Sequence, residues 1–86
     1  MVVVSQCPVG YTSKDGNVPG PGLKGLLNAS IEECKDNCDE STNCKSFMYS
    51  LKSGKCKLVD KVDPKDKKID DYQFCSKNIP GIFWEP

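Results

Sequence analysis

The sequence predicts a small disulfide-rich domain of the α+β class, and three observations lead to this prediction. Six cysteines fall within 86 residues, a density close to that of disulfide scaffolds. A helix-start signal stands at Ser30, and after Cys44 the apolar side chains change from helical spacing to strict alternation. One helix followed by paired strands is therefore expected, and disulfides are needed because so short a chain builds only a modest core.

The composition excludes several classes of function. The chain has no histidine, and its twelve basic residues, all lysine, balance twelve acidic residues. Without histidine neither a Ser-His nor a Cys-His catalytic pair can form, so we expect no enzyme and no cofactor. A neutral chain without arginine lacks the basic surface that binds nucleic acid. No apolar run is long enough for a membrane span, so membrane insertion is not expected.

The even number of cysteines favours disulfides over a metal site. Mixed Cys-His zinc sites are excluded, and an all-cysteine zinc site needs two close cysteine pairs, whereas Cys56 and Cys75 stand alone. A structural zinc domain is the alternative. Disulfides persist in oxidising compartments, so we expect a secreted or extracellular protein that travels through a secretory organelle.

The domain is expected to span residues 7–75, from the first cysteine to the last. Residues 1–6 are an N-terminal flank, in which the β-branched residues 2–4 predict an edge strand. This flank is too short for a signal peptide, so the chain is interpreted as a module of a longer secreted or surface protein. Residues 76–86 are interpreted as a tail or as a linker to a neighbouring module.

The part of the domain before the helix is expected to be mostly loop. Glycine and proline are frequent between residues 8 and 25, and they make residues 18–23 a loop because they disfavour helix and strand. Tyr11 and Leu23 each stand where a short strand can begin.

The helix is expected over about residues 30–41. Ser30 and Glu33 form a capping box, in which the serine caps the first turn and the glutamate reaches back to it. Three apolar side chains then follow at the spacing of one buried helix face: Ile31, Cys34 and Cys38. Asn43 is expected to end the helix as a left-handed cap.

The second half of the domain predicts strands. Residues 45–50 and 55–59 alternate between apolar and polar side chains around a turn that contains Gly54, which indicates a β-hairpin. Residues 60–71 carry four lysines, five aspartates and a proline, and we interpret them as a solvated loop. Residues 72–75 alternate again and predict a last strand.

These elements limit how the cysteines pair. Cys34 and Cys38 lie one helical turn apart, which is too far for a disulfide. The hairpin places Cys56 far along the ladder from Cys44, which makes that pair unfavourable as well. A local bridge between Cys38 and Cys44 is easy at the end of the helix, Cys34 can then reach Cys56, and Cys7 is left with Cys75. The expected bridges are therefore Cys7–Cys75, Cys34–Cys56 and Cys38–Cys44.

The nested order of these bridges and the residues around them resemble a known family. From Cys34 to Leu58 the chain reads C-x3-C-x5-C-x2-F-x-Y, then a turn, then C-x-L. This pattern resembles the PAN/apple domain family, which occurs in coagulation and growth factors and in the microneme adhesins of apicomplexan parasites. The resemblance covers residues 7–75.

The resemblance carries its own expectations. It implies a curved antiparallel β-sheet of about five strands cradling one α-helix. It also implies that Cys34–Cys56 and Cys38–Cys44 pin the helix to the sheet, and that the third bridge joins the termini as in the six-cysteine apple type.

The sequence also contains candidate site residues. Asn28 begins an N-x-S motif and is a candidate for glycosylation, although Ser30 of that motif is also the predicted helix cap. Lysines and aromatic residues around the hairpin and the last strand are the candidate ligand contacts: Lys52, Lys55, Lys57, Tyr49 and Tyr72. Net neutrality argues against strong binding of heparin.

The predicted function is non-catalytic recognition. We expect an extracellular adhesion module that binds protein or carbohydrate ligands on a cell surface, or a secreted partner protein. It is expected to be one of several tandem copies in a protein of cell attachment, with neighbouring modules of the same chain as contacts. The alternatives are a small secreted protease inhibitor or toxin-like disulfide protein, and an apple module of a blood-protease-like protein.

Overall fold

The computed structural model describes residues 7–67 and 72–78. They contain five strands and one helix, in the following order: β1 Tyr11–Lys14, β2 Lys24–Leu26, α1 Ile31–Glu40, β3 Ser46–Ser50, β4 Cys56–Val59 and β5 Tyr72–Lys77. The strand expected over residues 2–4 and the tail beyond residue 78 lie outside the described residues, as does the end of the loop over residues 60–71.

The five strands form one antiparallel sheet in the order β1-β5-β3-β4-β2. The predicted hairpin supplies β3 and β4, in which Tyr49 stands opposite Cys56. The last strand, β5, pairs with the other side of β3, and the short strands β1 and β2 lie at the two edges. The predicted α+β fold, with a five-stranded sheet and one helix, is therefore confirmed.

Helix α1 begins where its capping box predicts. Ser30 Oγ accepts a hydrogen bond from the Glu33 N–H at 3.1 Å, and Glu33 Oε1 accepts one from the Ser30 N–H at 2.8 Å. The helix packs on β3 and β4 through Cys34 and Cys38, which are fully buried. A helix of ten residues is marginal alone, so this packing is what holds α1 in place.

The end of the helix differs from the prediction. The C-cap is Ser41, in an extended conformation, and Asn43 has no left-handed backbone. The Ser41 N–H donates to the Cys38 carbonyl, and the Cys44 N–H donates to the Ser41 carbonyl. This tight turn, closed by the Cys38–Cys44 disulfide, ends the helix without a left-handed residue.

Three disulfides join the elements. Cys7 bonds Cys75 and so ties the entry to β1 onto β5, Cys34 bonds Cys56 and ties α1 to β4, and Cys38 bonds Cys44 beyond the end of α1. These are the same three pairs that the spacing of the cysteines favours, and all six cysteines are oxidised.

The central strand β3 is buried on both faces. On the face toward the helix, the core includes Phe47, Tyr49 and Leu58 together with the helix cysteines. On the far face, a second cluster contains Val18, Met48, Val59 and Phe74, with Tyr72 packed against it. The two clusters follow from the alternation of side chains along each strand.

Two loops cover part of the far face. The Asn17 N–H donates to the Asp66 carbonyl at 2.9 Å, and the Asn17 carbonyl accepts from the N–H groups of Lys65 and Asp66. The loop over residues 60–67 is thereby tied to the loop that precedes β2, while most of its side chains remain in solvent, as predicted. The β4–β2 end of the far face stays uncovered.

Candidate functional site

The uncovered end of the far face holds a pocket of about 340 Å³. We call it the Tyr72 pocket. Ten residues from four strands and the adjoining loops line it: Asn17, Pro21, Gly25, Leu26, Leu27, Met48, Lys55, Cys56, Lys57 and Tyr72. Its volume is at the lower end of the range for small-ligand sites, which suits a single side chain or a small group.

The register of the sheet creates this pocket. Met48 of β3 stands opposite Lys57 of β4, and Lys57 stands opposite Gly25 of β2. Residues directly opposite one another in a sheet share a face, so these three positions form one row on the far face. The row ends at a glycine, and the missing side chain leaves the space that the other lining residues surround.

Lys57 fixes one wall of the pocket. Its Nζ donates to the carbonyl of Val18 at 2.5 Å and to that of Gly20 at 2.7 Å. Burial lowers the pKa of Lys57, because the charged form has lost part of its hydration. This lysine therefore holds the loop before β2 against the sheet, and it contributes the aliphatic part of its side chain to the lining.

Asn17 is the most unusual residue of the lining. Its exposed fraction is 7% and its backbone is fully paired with residues 65 and 66. Its side-chain amide, however, makes no hydrogen bond to any other residue in the described part of the chain. A buried polar group without a partner costs about 1–3 kcal/mol, so this amide calls for a partner from solvent or from a ligand.

The pocket is apolar with positive charge. Most of the residues that line it are apolar, and the two charged residues among the lining are Lys55 and Lys57. No carboxylate is among these lining residues. Since the ammonium group of Lys57 is engaged by carbonyls, Lys55 on the exposed hairpin turn is the group placed to attract an anion.

Three of the five candidate ligand contacts meet at this pocket. Tyr72, Lys55 and Lys57 line it, whereas Lys52 is exposed and lies outside the lining. Tyr49 lies on the other face, with an exposed fraction of 8%, and its hydroxyl donates to the Ala29 carbonyl at 2.7 Å. Its ring is part of the core under the helix and offers little surface to a ligand.

Sequence reasoning missed Asn17, Gly25 and the two leucines that follow Gly25. Nothing in the local sequence singles out Asn17, which reaches the pocket only because its loop is tied to residue 66. A signal for Gly25 was present, since a glycine inside a strand often marks a close approach of another group.

Asn28 lies in the turn between β2 and α1, beside Leu27 of the pocket. Its side chain is exposed, and its φ of 55° makes it the one residue other than glycine with a left-handed backbone in the described chain. Both backbone groups of the next residue, Ala29, are hydrogen-bonded: its N–H donates to the Gly54 carbonyl, and its carbonyl accepts from the Tyr49 hydroxyl. Glycosylation of Asn28 stays a prediction.

A second group of titratable side chains joins α1 to β1. The Tyr11 hydroxyl donates to Asp39 Oδ1 at 2.8 Å, and Lys35 Nζ donates to Asp39 Oδ2 at 2.7 Å. Burial favours the neutral carboxyl of Asp39, but hydrogen bonds from Lys35 and Tyr11 hold its pKa below the usual range. Lys77 Nζ donates to the Cys38 carbonyl at the helix end. We interpret this group as a structural tie.

The hydrogen bond from Tyr11 to Asp39 predicts a measurable dependence of stability on pH. Burial, and then the hydrogen bond to Asp39, raises the pKa of Tyr11 well above its ordinary value. A raised pKa in the folded state contributes stability that is fully present below about pH 10, the value for an unfolded tyrosine, and is lost as the pH rises further. In an alkaline titration at 295 nm, we expect Tyr11 to ionise last or only on unfolding.

Tyr11→Phe is the control for that titration. The variant should lose the late or unfolding-linked part of the absorbance change and keep the rest. A Tyr11→Phe variant that instead loses a tyrosinate titrating near pH 10 would show that the hydroxyl is not held by Asp39.

Two general features of the described residues bear on function. Within residues 7–67 and 72–78, no cluster of three or more His, Cys, Asp or Glu side chains has the arrangement to hold a metal ion. In the same part of the chain, no helix has the length and apolar character to cross a membrane.

Comparison with known proteins gives one family. The family model described as PAN domain matches residues 12–78. The matched range contains the helix, strands β2 to β5, all of β1 except Tyr11, and all ten residues that line the Tyr72 pocket. Neither a curated protein nor a solved structure gives a significant match.

Proposed function

We propose, because this chain belongs to the PAN domain family, that it is a non-catalytic recognition module whose binding site is the Tyr72 pocket. PAN domains bind proteins or carbohydrates and are generally not catalytic. The three disulfides fit an extracellular setting. The observation that carries the proposal is the buried amide of Asn17, which has no hydrogen-bond partner among the described residues, within a pocket lined mostly by apolar residues.

A protein ligand suits the pocket better than a sugar. Hydroxyl groups of a sugar would face Leu27 and Met48, which offer no hydrogen bond, and each unpaired buried polar group costs about 1–3 kcal/mol. An apolar side chain of a partner protein gains about 1.5–3 kcal/mol when it is buried. One carbonyl or carboxylate beside it would satisfy the amide of Asn17.

The surroundings of the pocket support an interaction surface. Leu27 stands on its rim with 73% of its surface exposed. It extends the apolar lining of the pocket to the protein surface, and exposed apolar patches mark contact sites. Lys55 adds a charge that would steer an acidic partner toward this rim.

The wider role that we propose is attachment to a cell surface. In this proposal residues 7–75 form one of several tandem modules of a secreted or surface protein, with residues 1–6 and 76–86 as its flanks. Tandem copies would raise the avidity of a weak single site. Asn28, when glycosylated, would place a sugar chain beside Leu27 and narrow access to the pocket.

The test uses a displayed library of random ten-residue peptides, selected on the folded module, together with a panel of immobilised glycans. We expect peptides to be enriched, and Tyr72→Ala and Lys55→Glu each to weaken the best peptide at least about tenfold, or about 1.4 kcal/mol. Lys52→Glu is the matched control, because it reverses a neighbouring exposed lysine outside the lining, and it should change the Kd less than about threefold.

Two results would contradict the proposal. Enriched peptides that bind the Tyr72→Ala and Lys55→Glu modules as well as the unchanged one would place the site elsewhere. Binding to glycans alone, lost on Tyr72→Ala, would keep the pocket as the site and overturn the protein ligand.

A further inference from the structure

Neither the backbone conformation nor the packing of the described residues requires glycine at position 25. The other described glycines all have a positive φ, which glycine adopts most easily: Gly10, Gly16, Gly20, Gly22 and Gly54. Gly25 lies in β2 with ordinary strand geometry. A Cβ built on it would meet nothing closer than the Cys56 carbonyl oxygen, at 3.9 Å, so neither the backbone nor the packing requires glycine here.

A glycine inside a strand weakens that strand, and it often marks a place where a ligand or another backbone approaches closely. Gly25 is the position at which the Tyr72 pocket meets the edge of the sheet. β2 is the last strand in the sheet order, and its outer side pairs with no strand in the described part of the chain. Lys24 and Gly25 are both exposed.

We propose that an extended segment of a partner protein pairs with the outer edge of β2 and places one apolar side chain in the Tyr72 pocket. The proposal rests on the proposed function and names how the ligand binds. Strands in a sheet lie about 4.8 Å apart, and the absent side chain at Gly25 leaves the far face open at the edge, so a side chain of the paired segment can turn into the pocket.

The charges of the site indicate the chemistry of the segment. Side chains alternate along a strand, so every second residue of the partner segment faces the pocket side. Lys55 stands at the rim and the lining has no carboxylate. The segment that fits is therefore an extended acidic peptide with one apolar residue, in which backbone hydrogen bonds supply affinity and the pocket supplies specificity.

The first test changes the edge strand. Gly25→Val places a β-branched side chain between the edge and the pocket, and we expect the best library-selected peptide to bind it at least tenfold more weakly, with Gly25→Ala intermediate. Lys24→Val is the matched control. It adds the same side chain one residue earlier, on the helix side where Lys24 Nζ lies 3.5 Å from Asn37 Oδ1, and it should keep the Kd within about threefold.

The second test uses the unchanged module, so it does not depend on how the variants fold. The same peptide is resynthesised with one N-methylated residue at a time, which removes one backbone donor in each copy. Losses of at least tenfold at alternate positions are expected, because only every second N–H of a strand faces a given neighbour.

The outcomes separate the two proposals. Uniform tolerance of N-methylation, with binding still lost on Tyr72→Ala, overturns strand pairing and leaves the pocket as the binding site. Full binding to Gly25→Val also overturns strand pairing. If the selected peptides bind the Gly25→Val and Tyr72→Ala variants with unchanged Kd, both the strand pairing and the proposed binding site are overturned.

Discussion

Phe47→Ala is expected to lower the free energy of unfolding by about 3–5 kcal/mol, the usual cost of a large cavity in a core. Phe47 lies in the central strand with no exposed surface. Its ring packs against Tyr11, with 5.0 Å between the ring centroids and 57° between the planes. β3 is hydrogen-bonded to a strand on each side, which limits how far the backbone can move to fill the space.

The measurement is urea unfolding of the oxidised protein, followed by circular dichroism. Phe47→Leu is the control, since it keeps most of the volume and is expected to cost less than about 1.5 kcal/mol. The free energy of unfolding of small domains is about 5–15 kcal/mol in total, so the alanine variant would lose a large share of its stability. A loss below about 1 kcal/mol for Phe47→Ala would mean that the core under α1 is looser than its burial indicates.

The predictable parts of this fold are those that local chemistry decides. The capping box joins Ser30 to Glu33, three residues apart, so the start of α1 is visible in the sequence. The end of α1 is not, because a disulfide and a turn at Ser41 decide it in place of a left-handed Asn43. The local preference of asparagine predicted a left-handed backbone at Asn43, and the turn closed by the disulfide overrode this preference.

For the edge strands, too, the local sequence predicts some features and not others. Tyr11 begins β1 as expected, and β2 begins one residue after Leu23. Their partners, β5 and β4, lie far along the chain. Pairing across such separations depends on the whole sheet, so the residues alone could place these strands but could not give their order, and the five-stranded sheet came from the family resemblance.

The candidate site was predictable only where alternation along a strand decides it. Tyr72 and Lys57 reach the far face because their strands present alternate residues there, whereas Tyr49 shares the helix face with the fully buried Phe47. The face of the sheet on which each of these residues lies follows from alternation, which can be read from the sequence. The contributions of Asn17 and Gly25 cannot be read from it, because they depend on the register of β2 against β4 and on the tie between two loops.

Replacing Cys34 and Cys56 together by alanine is expected to cost about 3 kcal/mol from the entropy of the unfolded chain alone. The bridge closes a loop with a sequence separation of 22 residues, and it is the covalent link between α1 and β4. A helix of ten residues is marginal by itself, so the variant should also lose helical signal at lower urea concentrations than the sheet.

The matched control is the double variant Cys38→Ala with Cys44→Ala, which opens a loop with a sequence separation of only 6 and should cost about 2 kcal/mol. Both variants remove two buried sulfur atoms and keep the other two bridges, so their difference isolates the length of the closed loop and the link to β4. An equal or larger loss in the control would mean that the turn after α1, and not its bridge to the sheet, is what keeps the helix folded.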